Sequence, residues 1–223
     1  SLDAAEDIFA KSGKVRDRIA LIPTGVDPSR VIARPEESEA LRQSLHIGKD
    51  QFLVGTVCVM RSWKGIDDLL KAAHLLRNEE IRWVIVGGGH AEKHYQKAVA
   101  LGLGGIVHFV GHVENPFSWI AALDVFTLLS TANEGVSQAS LQAAYLEKPL
   151  VTTPTGGLKE VCIEGKTGIL VPCRSPRLVA EAVLRLRQNP AIRRAYGLAA
   201  KQLVEERFTL EGMLDAVEAT LAR

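Results

Sequence analysis

Phe52-Leu53-Val54-Gly55-Thr56-Val57-Cys58-Val59-Met60 is an unbroken run of apolar and small residues, and its lack of alternation sets the fold. A strand with one face in water alternates apolar with polar residues, whereas a strand buried on both faces, as in a parallel sheet, reads as continuously apolar. Four further runs have the same character: Ile81 to Val86, Ile106 to Val110, Asp124 to Leu129, and Leu150-Val151-Thr152. Amphipathic stretches lie between them. In the clearest, Ile66, Leu69, Leu70, Ala73 and Leu76 keep helical spacing on one face, with Asp67, Asp68 and Lys71 on the other. Similar stripes run over Ala91 to Leu101, Gln138 to Leu146 and Leu178 to Leu186. Strands alternating with helices of this length predict right-handed crossovers and an α/β fold, a Rossmann-like doubly wound parallel sheet. Beyond residue 175 the pattern is helical only. It ends in the stripe Leu210, Met213, Leu214, Val217, Leu221, expected to pack on this domain or on another.

The rest of the chain excludes several classes. Its 223 residues carry 27 Lys plus Arg against 26 Asp plus Glu, a net charge of +1. Without a basic surplus or a long one-sign run, nucleic acid is not an expected partner. Hydrophobic residues at 47% and charged residues at 24% fit a packed globular domain, not a disordered chain. No apolar run approaches the roughly 20 residues of a membrane helix. The start, Ser1-Leu2-Asp3-Ala4-Ala5-Glu6, lacks both an initiator Met and a signal-peptide pattern, so the chain is expected to begin within a longer protein. Cys58, Cys162 and Cys173 are odd in number and form no C-x-x-C pair, which speaks against a disulfide framework or a zinc ribbon and for a cytoplasmic location.

In an open α/β sheet, ligands bind outside the carboxyl ends of the strands, so the loops after the apolar runs are the places to look. The first holds Arg61-Ser62-Trp63-Lys64-Gly65, two cations leading into a helix. A guanidinium that chelates two oxygens and an ammonium point charge at a helix entrance suit a phosphate; a solvated surface turn is the competing reading. The second holds Gly87-Gly88-Gly89-His90, but Glu92 stands where a G-x-G-x-x-G fingerprint needs its last glycine, which disfavours a nicotinamide oxidoreductase. His90 and His94 have metal-ligand spacing without an evident third ligand, so no metal is expected there. The fourth loop, Ser130-Thr131-Ala132-Asn133-Glu134-Gly135-Val136-Ser137-Gln138, runs straight into a helix. A carboxylate, a glycine and free helix N–H groups would serve a ligand bearing both hydroxyls and phosphate. Gln142 follows eight positions after Glu134. At 1.5 Å rise per residue the two side chains stand roughly 10 Å apart on one side of the helix, the reach from a sugar to a ribose across a diphosphate. The fifth loop, Thr152 to Glu160, again carries glycines into a helix.

The order of these motifs resembles the C-terminal, nucleotide-binding half of the family-4 (group 1) retaining glycosyltransferases of GT-B fold. The likeness is carried by Ile22-Pro23-Thr24-Gly25-Val26-Asp27, Lys64-Gly65-Ile66-Asp67-Asp68-Leu69-Leu70, Val84-Ile85-Val86-Gly87-Gly88-Gly89, Val107-His108-Phe109-Val110-Gly111, Glu134-Gly135-Val136-Ser137-Gln138, Lys148-Pro149-Leu150-Val151 and Gly156-Gly157-Leu158-Lys159-Glu160-Val161, over about residues 19 to 210. The resemblance implies transfer of a sugar from a UDP- or GDP-linked donor, with retention and without a metal; the sequence contains no Asp-x-Asp. It also implies roles. Arg61 and Lys64 would hold the diphosphate and stabilise the departing charge, while Glu134, the first acid of the family's E-x7-E element, would hold sugar hydroxyls. The backbone of Gly135, Val136 and Ser137 would lie along sugar and phosphate, and that of Val113 would read the base.

Two positions depart from the family pattern. The second Glu of E-x7-E, which grips the ribose, is Gln142, an amide that reaches a hydroxyl without a charge-assisted bond. Where the family has Gly-Arg at the end of the first strand this chain has Cys58-Val59, so Arg61 must substitute. The organisation implied is a remnant of a preceding acceptor domain or linker over 1–17, a nucleotide-sugar-binding domain over 18–205 and a C-terminal helix over 206–223. Acceptor glycan or glycolipid would bind through the missing N-terminal domain, and the full-length protein would touch the inner face of the membrane peripherally. A non-catalytic nucleotide-binding module and a non-hydrolysing sugar epimerase are the rival readings.

Overall fold

The computed structural model describes residues 5, 6, 10, 20–48 and 51–222. The segment 1–17, read as a remnant of a preceding domain, lies outside the described residues except for those three. Six strands, all parallel, form one sheet in the order β3-β2-β1-β4-β5-β6: β1 Phe52–Val57, β2 Ile81–Val86, β3 Val107–Gly111, β4 Val125–Leu128, β5 Leu150–Thr152 and β6 Gly168–Leu170. This is the doubly wound, Rossmann-like sheet expected. Chain order reverses between β1 and β4, so a crevice opens where their loops part.

The helices are α1 Pro35–Ser44, α2 Ile66–Leu75, α3 Ala91–Ala100, α4 Phe117–Ala122, α5 Gln138–Tyr145, α6 Leu158–Val161, α7 Pro176–Gln188, α8 Pro190–Arg207 and α9 Leu210–Leu221. They cover both faces of the sheet, as the continuous apolar strands require. Successive strand residues point to opposite faces: Phe52 and Val54 join the core with α2 and α7, while Leu53 joins the core with α4, α5 and α8. Trp83 and Phe126, both fully buried, fill the two sides.

Three features differ from the sequence reading. Strand β1 stops at Val57, not Met60; Met60 then donates its N–H to the Gly88 carbonyl, 2.7 Å, and accepts from His90, 3.1 Å. The Gly87-Gly88-Gly89 run thus fits the end of β2 against the end of β1 and forms no dinucleotide loop. The sixth strand, Gly168–Leu170, is not among the runs read from the sequence. Finally, α8 continues through residue 205, and the chain breaks at Phe208 and Thr209 instead. There Val26 donates to the Phe208 carbonyl, 2.7 Å, and accepts from Leu210, 2.9 Å, so an early segment ties down the start of α9. Helix α9 itself buries no residue, and Leu221 is 82% exposed.

Candidate functional site

Ser130, fully buried at the end of β4, organises the crevice. Its carbonyl accepts from Thr153 Oγ1 at 2.5 Å, from Thr155 Oγ1 at 2.6 Å and from Cys173 Sγ at 3.7 Å, drawing the loops after β5 and β6 onto the loop after β4. Its hydroxyl donates to Glu134 Oε1 at 2.6 Å. The same carboxylate oxygen pairs with Lys64 Nζ. The side chains of Lys64 and Glu134 are 18% and 5% exposed, so two charges 70 positions apart meet in a water-poor crevice.

Backbone contacts hold the two loops in register. Thr131 N–H donates to the Trp63 carbonyl at 2.7 Å. Gly65 begins α2 at φ +70, and a Cβ there would come within 2.0 Å of the Leu129 carbonyl oxygen. Gly156 sits at φ +55, where a Cβ would lie 1.8 Å from the Glu134 carbonyl oxygen. Only glycine permits both the left-handed turn and that approach. Gly157 N–H then donates to the Glu134 carbonyl at 3.3 Å.

Helix α5 starts beside the carboxylate. Ser137 caps it, its Oγ accepting from Ser140 N–H at 3.3 Å, so the N-terminal end of the helix dipole faces the crevice. Gln138 Nε2 donates to Thr24 Oγ1 at 2.5 Å and to the Gly25 carbonyl at 3.0 Å, which fixes this helix end against the Ile22–Asp27 segment. Gly135 is exposed, Val136 packs partly on the α5 side of the core, and Gln142 lies half-buried about one turn into α5, with no side-chain hydrogen bond among the described residues. Val113 follows β3 and packs half-buried against the same core.

Of the two predicted cations, the structure brings Lys64 to Glu134 but not Arg61. Arg61 is exposed, its guanidinium 6.0 Å from the Trp63 ring centre. Cys58 lies beneath the pair. Burial pushes its thiol up to about 11, against the opposing pull of the Lys64 charge, so it is a neutral thiol at physiological pH. His94 is not presented as a ligand: its Nδ1 meets Asp67 Oδ1 at 3.1 Å. Sequence reading assigned no role to Ser130, Thr153, Thr155 or Thr24. The run of threonines after β5 was the visible signal, but its target, a backbone carbonyl, leaves no mark in a sequence.

A buried ammonium, a fixed carboxylate and the N-terminus of an eight-residue helix can receive an anionic, hydroxyl-bearing ligand. The family model for glycosyl transferases group 1 matches residues 51–189. The chain belongs to the group 1 glycosyltransferases. Among curated group 1 relatives, an uncharacterised glycosyltransferase of Methanocaldococcus jannaschii is 31% identical over 151 residues, 66% of this chain and 38% of that protein. The capsular polysaccharide biosynthesis glycosyltransferase CapM of Staphylococcus aureus is 24% identical over 188 residues, 82% of this chain and 49% of that protein. The chain therefore spans less than half the length of either. In fold it is similar to Anabaena HepE, solved in complex with UDP, with a TM-score of 0.91 at 22% identity over 99% of this chain and 62% of that one.

Proposed function

We propose that this chain is the donor-binding half of a retaining glycosyltransferase that takes a sugar from a UDP- or GDP-linked donor. The observation that carries the reading is the Lys64–Glu134 pair, held by Ser130 at the reversal point of the sheet and beside the N-terminus of α5. A donor diphosphate entering the crevice takes over the Lys64 ammonium, and Glu134, released from it but still held by Ser130, accepts from sugar hydroxyls. Lys64 and Arg61 stabilise the charge that develops on the departing diphosphate, a term that counts for most where water is excluded. The backbone of Gly135, Val136 and Ser137 lines sugar and phosphate, Gln142 meets the ribose, and Val113 reads the base. The UDP complex of HepE and the polysaccharide role of CapM support this class of donor and product. The acceptor, a glycan or glycolipid, belongs to a preceding domain.

Calorimetry with UDP, GDP and ADP in the presence of a chelator tests the donor site, and at least one is expected to bind. No binding, or strict dependence on magnesium, overturns the reading. The isolated chain is expected not to transfer sugar, because holding donor and acceptor together supplies up to roughly 7–11 kcal/mol of the barrier. Joined to an acceptor domain it is expected to transfer, and Glu134→Ala is then expected to abolish most of the rate while leaving diphosphate affinity nearly intact. Gln142 favours one rival, a nucleotide-binding module without catalysis; failure of the joined protein to transfer would select it.

A further inference from the structure

The face of the sheet that carries α2, α3 and α7 has an opening of its own. Between the N-terminal turns of α2 and α3, with Thr131 and Arg174 on its wall, lies a cavity of about 400 Å³. That volume falls in the range of small-molecule sites. Lys71, Lys93 and Arg174 line it, and among the described residues none of the three has a hydrogen-bond or ion-pair partner.

A carboxylate supplies the second observation. Asp68 also lines the cavity, is 7% exposed, and makes no hydrogen bond or ion pair among the described residues. Its neighbour Asp67 has both oxygens engaged, with His94 at 3.1 Å and Lys97 at 2.5 Å. Burial works against the Asp67 charge, but these partners hold its carboxyl below the usual carboxylate range. The Asp68 carboxylate lines the cavity without a protein partner among the described residues, so the hydroxyl of a ligand seated there can donate to it in place of water.

We propose that the cavity binds a phosphorylated polyhydroxyl molecule, a sugar phosphate or polyol phosphate, with Lys71, Lys93 and Arg174 on the phosphate and Asp68 accepting from a hydroxyl. Three free cations against one free carboxylate require a ligand with a net negative charge and at least one hydroxyl donor. A plain anion leaves Asp68 unmet, and a neutral sugar leaves the cations unmet. The nucleotide sugar of the donor reading lies along Glu134 and α5, whereas this cavity opens on the α2 side of the Arg61–Gly65 loop.

Titrations of glucose 6-phosphate, myo-inositol 1-phosphate, glucose and inorganic phosphate into the chain, with and without excess UDP, test the proposal. At least one phosphorylated polyol is expected to bind one-to-one whether or not UDP is present, glucose is expected not to bind, and inorganic phosphate to bind more weakly. Lys71→Ala combined with Arg174→Ala, both exposed positions, is expected to weaken that binding about tenfold or more while leaving UDP affinity and thermal midpoint unchanged. Asp68→Asn is expected to erase the preference for the phosphorylated polyol over inorganic phosphate. The proposal is overturned if neither phosphorylated polyol binds, if excess UDP displaces it, if the double variant binds like the parent, or if inorganic phosphate binds as tightly. The titration without UDP reads the cavity alone, so its outcome is separate from that of the donor site.

Discussion

The two halves of the sheet are built differently. Strands β1, β2 and β3 are six, six and five residues long, and their core is filled by large side chains such as Leu53, Ile81, Trp83 and Ile85. Strands β4, β5 and β6 are four, three and three residues long, and the loops beyond them are fastened by hydroxyls: Thr153 and Thr155 on the Ser130 carbonyl, Thr167 on the Val161 carbonyl at 2.7 Å. The first half is held chiefly by burial, which is non-directional. The second is buried as well, at Phe126, Leu128, Leu150 and Val151, but its loops are also fastened by hydrogen bonds, which fix angle and distance, and it carries the carboxylate. Substitutions of the large buried strand side chains should therefore cost stability, and substitutions in the loops that meet at Ser130 and Glu134 should cost ligand binding.

The largest effect is expected at Trp83. It is fully buried, so Trp83→Ala should lower the unfolding free energy in urea by about 3–5 kcal/mol. Trp83 Nε1 has no partner, so Trp83→Phe should cost clearly less. A loss at Trp83→Ala no greater than that of an exposed-surface change would break the contrast between the halves.

Next comes Lys64. Lys64→Ala should weaken UDP binding by about 1.5–3 kcal/mol and leave uridine unaffected. Equal losses for nucleotide and nucleoside would mean that stranding the buried Glu134 charge had damaged the fold. Ser130→Ala keeps the carbonyl that Thr153 and Thr155 use and deletes only the bond to Glu134, so its cost should be at most about 1.5–3 kcal/mol, the range for a hydrogen bond to a charged group. That cost should appear in binding of the nucleotide sugar, not of UDP, when the two are titrated side by side.

The smallest effect is a gain. Among the described residues Gln142 has no side-chain hydrogen bond to lose, and Gln142→Glu should tighten UDP binding modestly, with the advantage gone for the 2′,3′-dideoxy analogue. Weaker binding by the variant would show a pocket rebuilt around the amide.

The same division explains what could be read without coordinates. The continuous runs at 52–60 and 81–86 and the stripe from 66 to 76 are properties of neighbouring residues, so the elements were legible, though the first strand ends at Val57. Helix Leu158–Val161 was legible only as a helix opening after the glycines of the fifth loop, and strand Gly168–Leu170 was not read at all. Within the site, Lys64 and Glu134 were legible as charges at loop positions. That they meet was not, because 70 positions separate them, and the hub that fastens them is the main chain of Ser130, reached from residues 153, 155 and 173. Arg61 was read from its proximity to Lys64 alone, and the turn between them sends its side chain to Trp63.

The Lys64–Glu134 pair also bears on how fast a ligand arrives. Paired, the two charges cancel at a distance, so an incoming anion feels little pull from the ammonium that will finally hold it. Arg61 is exposed and meets no carboxylate among the described residues, so its field reaches into solvent. If the donor binds as proposed, the two cations are expected to act at different moments of one encounter: Arg61 on the association rate and its sensitivity to salt, Lys64 on how slowly the nucleotide leaves. Stopped-flow traces of Arg61→Ala and Lys64→Ala at two ionic strengths would read that order directly.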